Sequence, residues 1–221
     1  MKKVLITVLF MTFIFVSACA ATAFAQDNAS QGQTSAGQKW QNDKAENHFM
    51  ASSKYFLKKE YHKSADEMRK GSEILKDKAK SAAEDTKQAL NKDASELDQL
   101  ADNIEKGTEK SVKNMKDLFA RADNTLAKYY HEKASESYAK KEYKNAGHEL
   151  KAAAAHFKEG ITWAGQKGER GTETAIEESR RLGDNLVKGT KVAAGNVEKG
   201  MSSLGDEIKK FWDKVRGTKT E

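Results

Sequence analysis

The sequence predicts an all-α protein, an antiparallel helical bundle built from two internal repeats that are offset by 82 positions. The 221 residues include no proline, so the commonest helix breaker is missing. Strong helix formers such as alanine, lysine, glutamate and leucine dominate the composition. Residues 58–61 (KKEY) recur at 140–143, and residues 100–108 recur in similar form at 182–190. Both pairs share the offset of 82, which indicates a duplication.

Residues 1–25 are predicted to be a secretory signal peptide. Lys2 and Lys3 form a basic start, residues 4–18 are apolar, and residues 23–25 (AFA) form a small-x-small cleavage site. Residues 26–39 are rich in glutamine, serine and glycine, and we expect a disordered leader there. The helical domain would then span 40–221, with repeat one over about 40–121 and repeat two over about 122–221. This pattern predicts an exported, periplasmic protein.

A competing route of export depends on Cys19. Residues 16–19 (VSAC) resemble a bacterial lipobox, which implies lipidation of Cys19 and, with Ala20 next to it, sorting to the outer membrane. A retained N-terminal anchor helix is disfavoured because the apolar run is short for a membrane span. Cys19 is the only cysteine in the sequence, so the folded part is predicted to lack disulfides and reactive thiols.

Apolar residues recur at steps of three and four from Trp40 onward, which predicts successive amphipathic helices in repeat one. The first helix is expected over about 41–57. The second is expected to start near Tyr61 and to reach residue 90. The third is expected to start near residue 93 and to pass residue 129. Since no glycine or proline lies between residues 108 and 144, this helix is predicted to enter repeat two, either as one helix of about 45 residues or with a kink near Asp123.

Repeat two is predicted to continue with a helix from Tyr143 to Ala164, a glycine-rich turn over 165–171, and a last helix over 175–215. Five glycines fall inside that last helix, and each costs about 1 kcal/mol relative to alanine. Either close packing against a neighbouring helix offsets this cost, or the helix is ordered only on a surface or a partner. The five are Gly183, Gly189, Gly195, Gly200 and Gly205.

The junction between the first two helices of each repeat resembles a single tetratricopeptide helical hairpin. Small residues on the first helix, a tyrosine at the start of the second, and small residues after it carry the resemblance: Ser52, Tyr61 and Ser64 in repeat one, and Ala134, Tyr143 and Ala146 in repeat two. The resemblance implies two closely packed antiparallel helices with Tyr61 and Tyr143 as structural residues beside the turn. The period of 82, rather than 34, favours a compact bundle over a superhelical array. The layout also resembles exported helical proteins of the YfdX-like type.

No pattern of residues predicts an enzyme, a cofactor or a metal site. The sequence contains no nucleophile elbow, zinc-protease motif, Walker loop or dinucleotide fingerprint. Acidic and basic residues alternate, which is typical of solvated helix faces. The five histidines (48, 62, 131, 148 and 156) are interpreted as surface or boundary residues. A net charge of +6, or +4 once Lys2 and Lys3 are removed, is too small and too dispersed for nucleic-acid binding.

Three aromatic residues are candidates for interaction. Trp163 lies at a predicted helix end beside the glycine turn, where it either fills the core or contacts a partner. Phe211 and Trp212 belong to a basic amphipathic segment that either closes the bundle or lies on an anionic membrane. The expected function is a non-enzymatic exported scaffold that binds a protein partner or buffers envelope stress. The alternatives are a conditionally folded helical protein that acts on membranes and an envelope lipoprotein anchored through Cys19.

Overall fold

The computed structural model describes residues 45–217, and all of their regular secondary structure is α-helical. This part of the chain forms a bundle of seven helices. In chain order they are α1 (Ala45–Leu57), α2 (Tyr61–Ala79), α3 (Glu84–Glu105), α4 (Val112–Ala139), α5 (Tyr143–Trp163), α6 (Arg170–Val187) and α7 (Ala194–Gly217). The predicted all-α bundle is therefore confirmed. Within this range no helix is long and apolar enough to cross a bilayer.

The central helix of the bundle is α4. Every residue from 118 to 127 is buried, including the polar ones. Helix α4 packs against α1, α3, α5 and α7, while α2 pairs with α1 and α3, and α6 pairs with α5 and α7. The largest fully buried side chains include Phe49, Phe119 and Phe157, which lie on α1, α4 and α5. Because these three helices come from both halves of the sequence, a single core joins the two halves.

The first hairpin, α1–α2, closes through small residues and a left-handed turn. Ser52 and Ser64 are fully buried, and each hydroxyl donates to the other residue's carbonyl oxygen at 2.9 Å. Lys59 adopts a φ of 61°, and the amide of Glu60 donates to the carbonyl of Tyr55. Two exchanged hydrogen bonds satisfy both hydroxyls at a point where larger side chains would force the helices apart.

The predicted second and third helices have the wrong boundaries. Helix α2 ends at Ala79, and residues 80–83 form a turn before α3 begins at Glu84. The predicted third helix is interrupted after Glu105, where Gly107 adopts a φ of 70° and the amide of Thr108 donates to the carbonyl of Asn103. This arrangement is a glycine-terminated helix end. Helix α4 then runs without interruption through residues 123 and 124.

The predicted last helix is also two helices. Gly189 adopts a φ of 70° and terminates α6, and α7 starts at Ala194. Gly189 is therefore a helix stop rather than an interior residue. Close packing accounts for Gly183, since a Cβ atom there would lie 2.6 Å from the carbonyl oxygen of Gly147 on α5. Two facing glycines let the backbones of α5 and α6 approach each other.

Candidate functional site

Polar side chains are concentrated in the buried middle of α4, where they need partners to offset the loss of hydration. Arg121 forms an ion pair with Glu96 of α3. The hydroxyl of Thr125 donates to Asp93, also on α3 and fully buried. These contacts replace water with charge-assisted hydrogen bonds and fix the position of α3 along α4.

Asp123, in the same stretch of α4, forms a buried hydrogen bond with His156 of α5. Nδ1 of His156 donates to Oδ1 of Asp123 at 2.8 Å, and Asp123 is fully buried. The ring of Tyr130 stacks on the imidazole with a centroid distance of 5.6 Å and an angle of 2°. Nζ of Lys78 lies 5.2 Å from the centroid of that tyrosine ring. The imidazole is thus held between a carboxylate and an aromatic face.

Glu46 of α1 brings a second carboxyl group to the same place. Burial, followed by the nearby charge of Asp123, raises the pKa of Glu46 to about 9. Nε1 of Trp163 donates to Oε2 of Glu46 at 3.1 Å, and the charge of Glu159 adds to the upward shift. At neutral pH Glu46 is therefore a neutral acid, because two ionised carboxyl groups cannot share a poorly hydrated space.

We call Glu46, Asp123, Asn124 and His156 the α4 polar cluster. Asn124 is fully buried, and neither its amide nitrogen nor its amide oxygen has a hydrogen-bond partner among residues 45–217. The same holds for Oδ2 of Asp123. Glu46 can hold a proton beside Asp123, and the imidazole of His156 is hydrogen-bonded to the same carboxylate.

An exposed groove lies next to this cluster, on the outer side of α1. We call it the α1 groove; it is shallow and open to solvent, and it is lined by Met50, Ser53, Lys54, Leu57, Lys58 and Trp163. Met50 is 56% exposed and Leu57 is 66% exposed, which is unusual for large apolar side chains in a packed bundle. Trp163 belongs both to the groove and, through its hydrogen bond to Glu46, to the cluster behind it.

Trp163 makes two contacts in the wall of this groove. Besides the hydrogen bond to Glu46, its ring makes an edge contact with Phe119 at a centroid distance of 5.1 Å. The side chain is partly buried. Of the three aromatic residues predicted as interaction candidates, Trp163 therefore combines a fixed position with an accessible surface.

The two candidates at the C-terminus lie elsewhere. Phe211 is buried and makes an edge contact with Phe157 at 5.9 Å, so its predicted role in surface contact does not fit this fold. Trp212 is partly buried, and Nζ of Lys128 lies 5.5 Å from the centroid of its ring. The apolar face of α7 packs onto α4 and α6. The predicted lipidation site, Cys19, lies outside the described residues.

The two hairpin tyrosines differ in burial. Tyr61 is partly buried and makes an edge contact with Phe56 at 5.7 Å. Tyr143 is 46% exposed and lies against Tyr138 at 5.4 Å. Both tyrosines open the second helix of a hairpin, as predicted from the sequence. Tyr143 is too exposed to contribute the several kcal/mol expected of a core aromatic residue.

The interpretation of the histidines as surface or boundary residues is wrong for two of the five. His148 and His156 are buried. Burial, and then the charges of Lys151 and Lys144, lower the pKa of His148. His48 and His62 make contacts with Glu67 and Glu105 at 2.6 and 2.9 Å. Among the residues that the structure describes, no group of three or more potential ligands could hold a metal ion.

Sequence reasoning missed the α4 polar cluster, although a signal was present. Asp123 and Asn124 fall within the apolar stripe of α4, between Leu118 and Leu126, where solvent-facing positions are not expected. A polar pair at such a position indicates a buried polar site. From the sequence alone, this pair predicts only a place for a kink. The partner His156 lies among alanines and beside Phe157, which is likewise a buried setting.

Comparison of the chain with protein-family models, with curated proteins and with solved structures gives no match.

Proposed function

We propose that the protein is a non-enzymatic, exported helical scaffold that presents a fixed surface to a protein partner. The observation that carries this proposal is the continuity of the core. Buried apolar residues connect all seven described helices, and α7 contributes Val197, Leu204, Ile208 and Phe211 to them. A chain that completes its own core does not need a lipid surface to order its helices. This supports a scaffold over a conditionally folded membrane protein.

We further propose that the scaffold arose by duplication of a single helical unit, with the two copies offset by 82 positions. Several local features support this because they recur at that offset. Backbone φ is 61° at Lys59 and 62° at Lys141, and it is 70° at both Gly107 and Gly189. Matching side-chain contacts are the ring pairs Phe56–Tyr61 and Tyr138–Tyr143, and the ion pairs Arg69–Asp102 and Lys151–Asp184.

The same offset relates α7 to the first part of α4. Residues 194–215 correspond to residues 112–133, and several buried apolar positions coincide. The matching buried pairs are Met115 and Val197, Phe119 and Met201, Leu126 and Ile208, and Tyr129 and Phe211. In this proposal α4 closes unit one with its first half and opens unit two with its second half. A shared helix keeps the two units in one rigid arrangement, as a scaffold requires.

Export is the part of the proposal that depends on residues 1–25. Cleavage after Ala25 would release a periplasmic protein that starts at Gln26, whereas processing at Cys19 would leave an anchored lipoprotein. The intact mass of the protein recovered from an envelope fraction distinguishes the two forms. Recovery of the uncleaved chain in the cytoplasm would contradict export. In the envelope the scaffold would bind a protein partner or help to buffer envelope stress.

The scaffold role is tested by a circular dichroism melt of the mature chain, with and without anionic vesicles. We expect high helicity and one cooperative transition in plain buffer, with neither changed by vesicles. Low helicity that rises only when vesicles are added would overturn the proposal in favour of a membrane-dependent protein.

A further inference from the structure

We infer that the α1 groove is a docking site for a helical segment of another protein that carries apolar anchors flanked by carboxylates. This inference rests on the proposed scaffold function and names the chemistry of its partner. It starts from two exposed side chains. Met50 and Leu57 lie on the same side of α1, 56% and 66% exposed, beside a tryptophan. They are seven residues apart, which is about 10.5 Å along a helix.

Two contacts hold the side chain of Trp163 in the wall of the groove. Glu46 accepts its indole N–H and Phe119 supports the ring from the side. A packed tryptophan at the edge of an apolar surface is typical of residues that dominate binding energy. Contacts that hold the ring before association lower the entropy lost on binding.

The charge around the groove identifies the partner. Lys54 and Lys58 line it, both are exposed, and neither has an ion-pair partner among residues 45–217. Among residues 45–217, the side chains that line the groove include no carboxylate. Two exposed ammonium groups beside an apolar floor complement a segment with leucine-like anchors and flanking glutamates or aspartates. Apolar residues at steps of three, four and seven would fit the spacing of Met50 and Leu57.

A second copy of the chain fits the groove less well. A two-fold contact through α1 pairs the same patch of both copies. Because each patch carries Lys54 and Lys58, four ammonium groups would share one interface, and the described residues that line the groove include no carboxylate to offset them. A heterologous partner with negative charge avoids this repulsion.

The test uses two labelled helical peptides with leucines at positions i and i+7, one with flanking glutamates and one with flanking lysines. Fluorescence anisotropy with the mature protein should show binding of the acidic peptide about tenfold tighter than that of the basic one at low salt. The preference should shrink as salt is added, because exposed charges are screened. Leu57→Glu should remove binding, and K54E combined with K58E should reverse the preference.

Tyr143→Glu is the matched control, since it places a carboxylate at an exposed aromatic residue on the other hairpin. It should leave binding unchanged. Equal binding of both peptides, or full binding by the Leu57→Glu variant, would overturn the inference. Self-association of the free protein that is abolished by Leu57→Glu would also overturn it. Recruitment of the protein to anionic vesicles through the groove would do the same. If no peptide binds while the circular dichroism melt stays cooperative, the docking inference fails and the scaffold proposal stands.

Discussion

Glu46 lies where α1, α4 and the end of α5 meet, and its carboxyl group shares that space with Asp123. The pKa of Glu46 is raised to about 9, first by burial and then by the charge of Asp123. Its ordinary value is 4.5. Between these two values the folded protein keeps a proton that the unfolded chain releases. Folding is therefore linked to proton binding at this residue.

We predict that the free energy of unfolding falls less steeply with rising pH in Glu46→Gln than in the wild type. Because the folded-state pKa is the higher one, the stabilising contribution is complete below about pH 4.5 and is lost as the pH rises toward 9. The slope is at most about 1.4 kcal/mol per pH unit, and less for a partly exposed carboxyl group. Urea unfolding from pH 5 to 9 should give a flatter profile for the variant than for the wild type.

The control is Glu60→Gln, which changes a carboxyl group whose pKa is lowered by its hydrogen bond to Lys63. That group is ionised in both states over the same pH range, so its variant should keep the wild-type slope. Because the pKa of His148 is lowered, this residue destabilises the fold as the pH falls, which is opposite to the effect of Glu46. His148 is present in the wild type and in both variants, so its effect cancels in the comparison. Parallel profiles for wild type and Glu46→Gln would contradict the prediction.

At the scale of single residues, the sequence predicts one candidate for interaction but does not show which charged side chains are buried. Trp163 was predicted as a candidate for interaction, and it lines the α1 groove. Glu46 could not be singled out, because one glutamate among many alternating charges carries no local sign of burial. Its pKa depends on Asp123, which is distant in the chain, and only packing brings the two together.

At the scale of the helices, the composition predicts the all-α class and the periodicity predicts which face of each helix is buried. The helix boundaries are predicted less well. The end of α2 at Ala79 is followed by a turn over residues 80–83 (KSAA), which contains neither glycine nor proline. Nothing in those residues forbids a helix, so the break arises from the packing of α3 back onto α2. Gly107 and Gly189 did carry a signal, since a helix commonly stops at a glycine with positive φ.

The close contact between α5 and α6 depends on glycine at position 147. Gly147→Ala should destabilise the protein by about 1–3 kcal/mol, because the new Cβ atom would lie 2.6 Å from the carbonyl oxygen of Gly183. Backbone cannot move aside as a flexible side chain can. The measurement is the free energy of unfolding from urea titration.

Gly195→Ala in the first turn of α7 is the matched substitution, since a Cβ atom there meets nothing within 4 Å. It should stabilise the protein by about 0.4–1 kcal/mol, because alanine loses less backbone entropy on folding. If both variants shifted stability in the same direction, close approach of α5 and α6 would not be the reason for Gly147.

The whole molecule is joined by contacts between residues far apart in the sequence. The hydrogen bond between Trp163 and Glu46 spans 117 residues, and the one between His131 and the carbonyl of Met201 spans 70. Helix α4 carries core residues for both halves. If either half unfolds, the other half loses part of its hydrophobic core. The two halves should therefore unfold as one cooperative unit.

We predict that a core substitution in either half lowers the stability of the entire chain. Met68 and Leu150 are both fully buried and occupy corresponding positions of the two proposed units, on α2 and α5. Met68→Ala and Leu150→Ala should each cost about 2–5 kcal/mol. Circular dichroism, which reports all helices, and tryptophan fluorescence should move to the same lower urea midpoint in each variant. Met68→Leu should cost less than about 1.5 kcal/mol, since it conserves volume. A variant in which part of the helicity still unfolded at the wild-type midpoint would show that the halves are independent, and that α4 does not couple them.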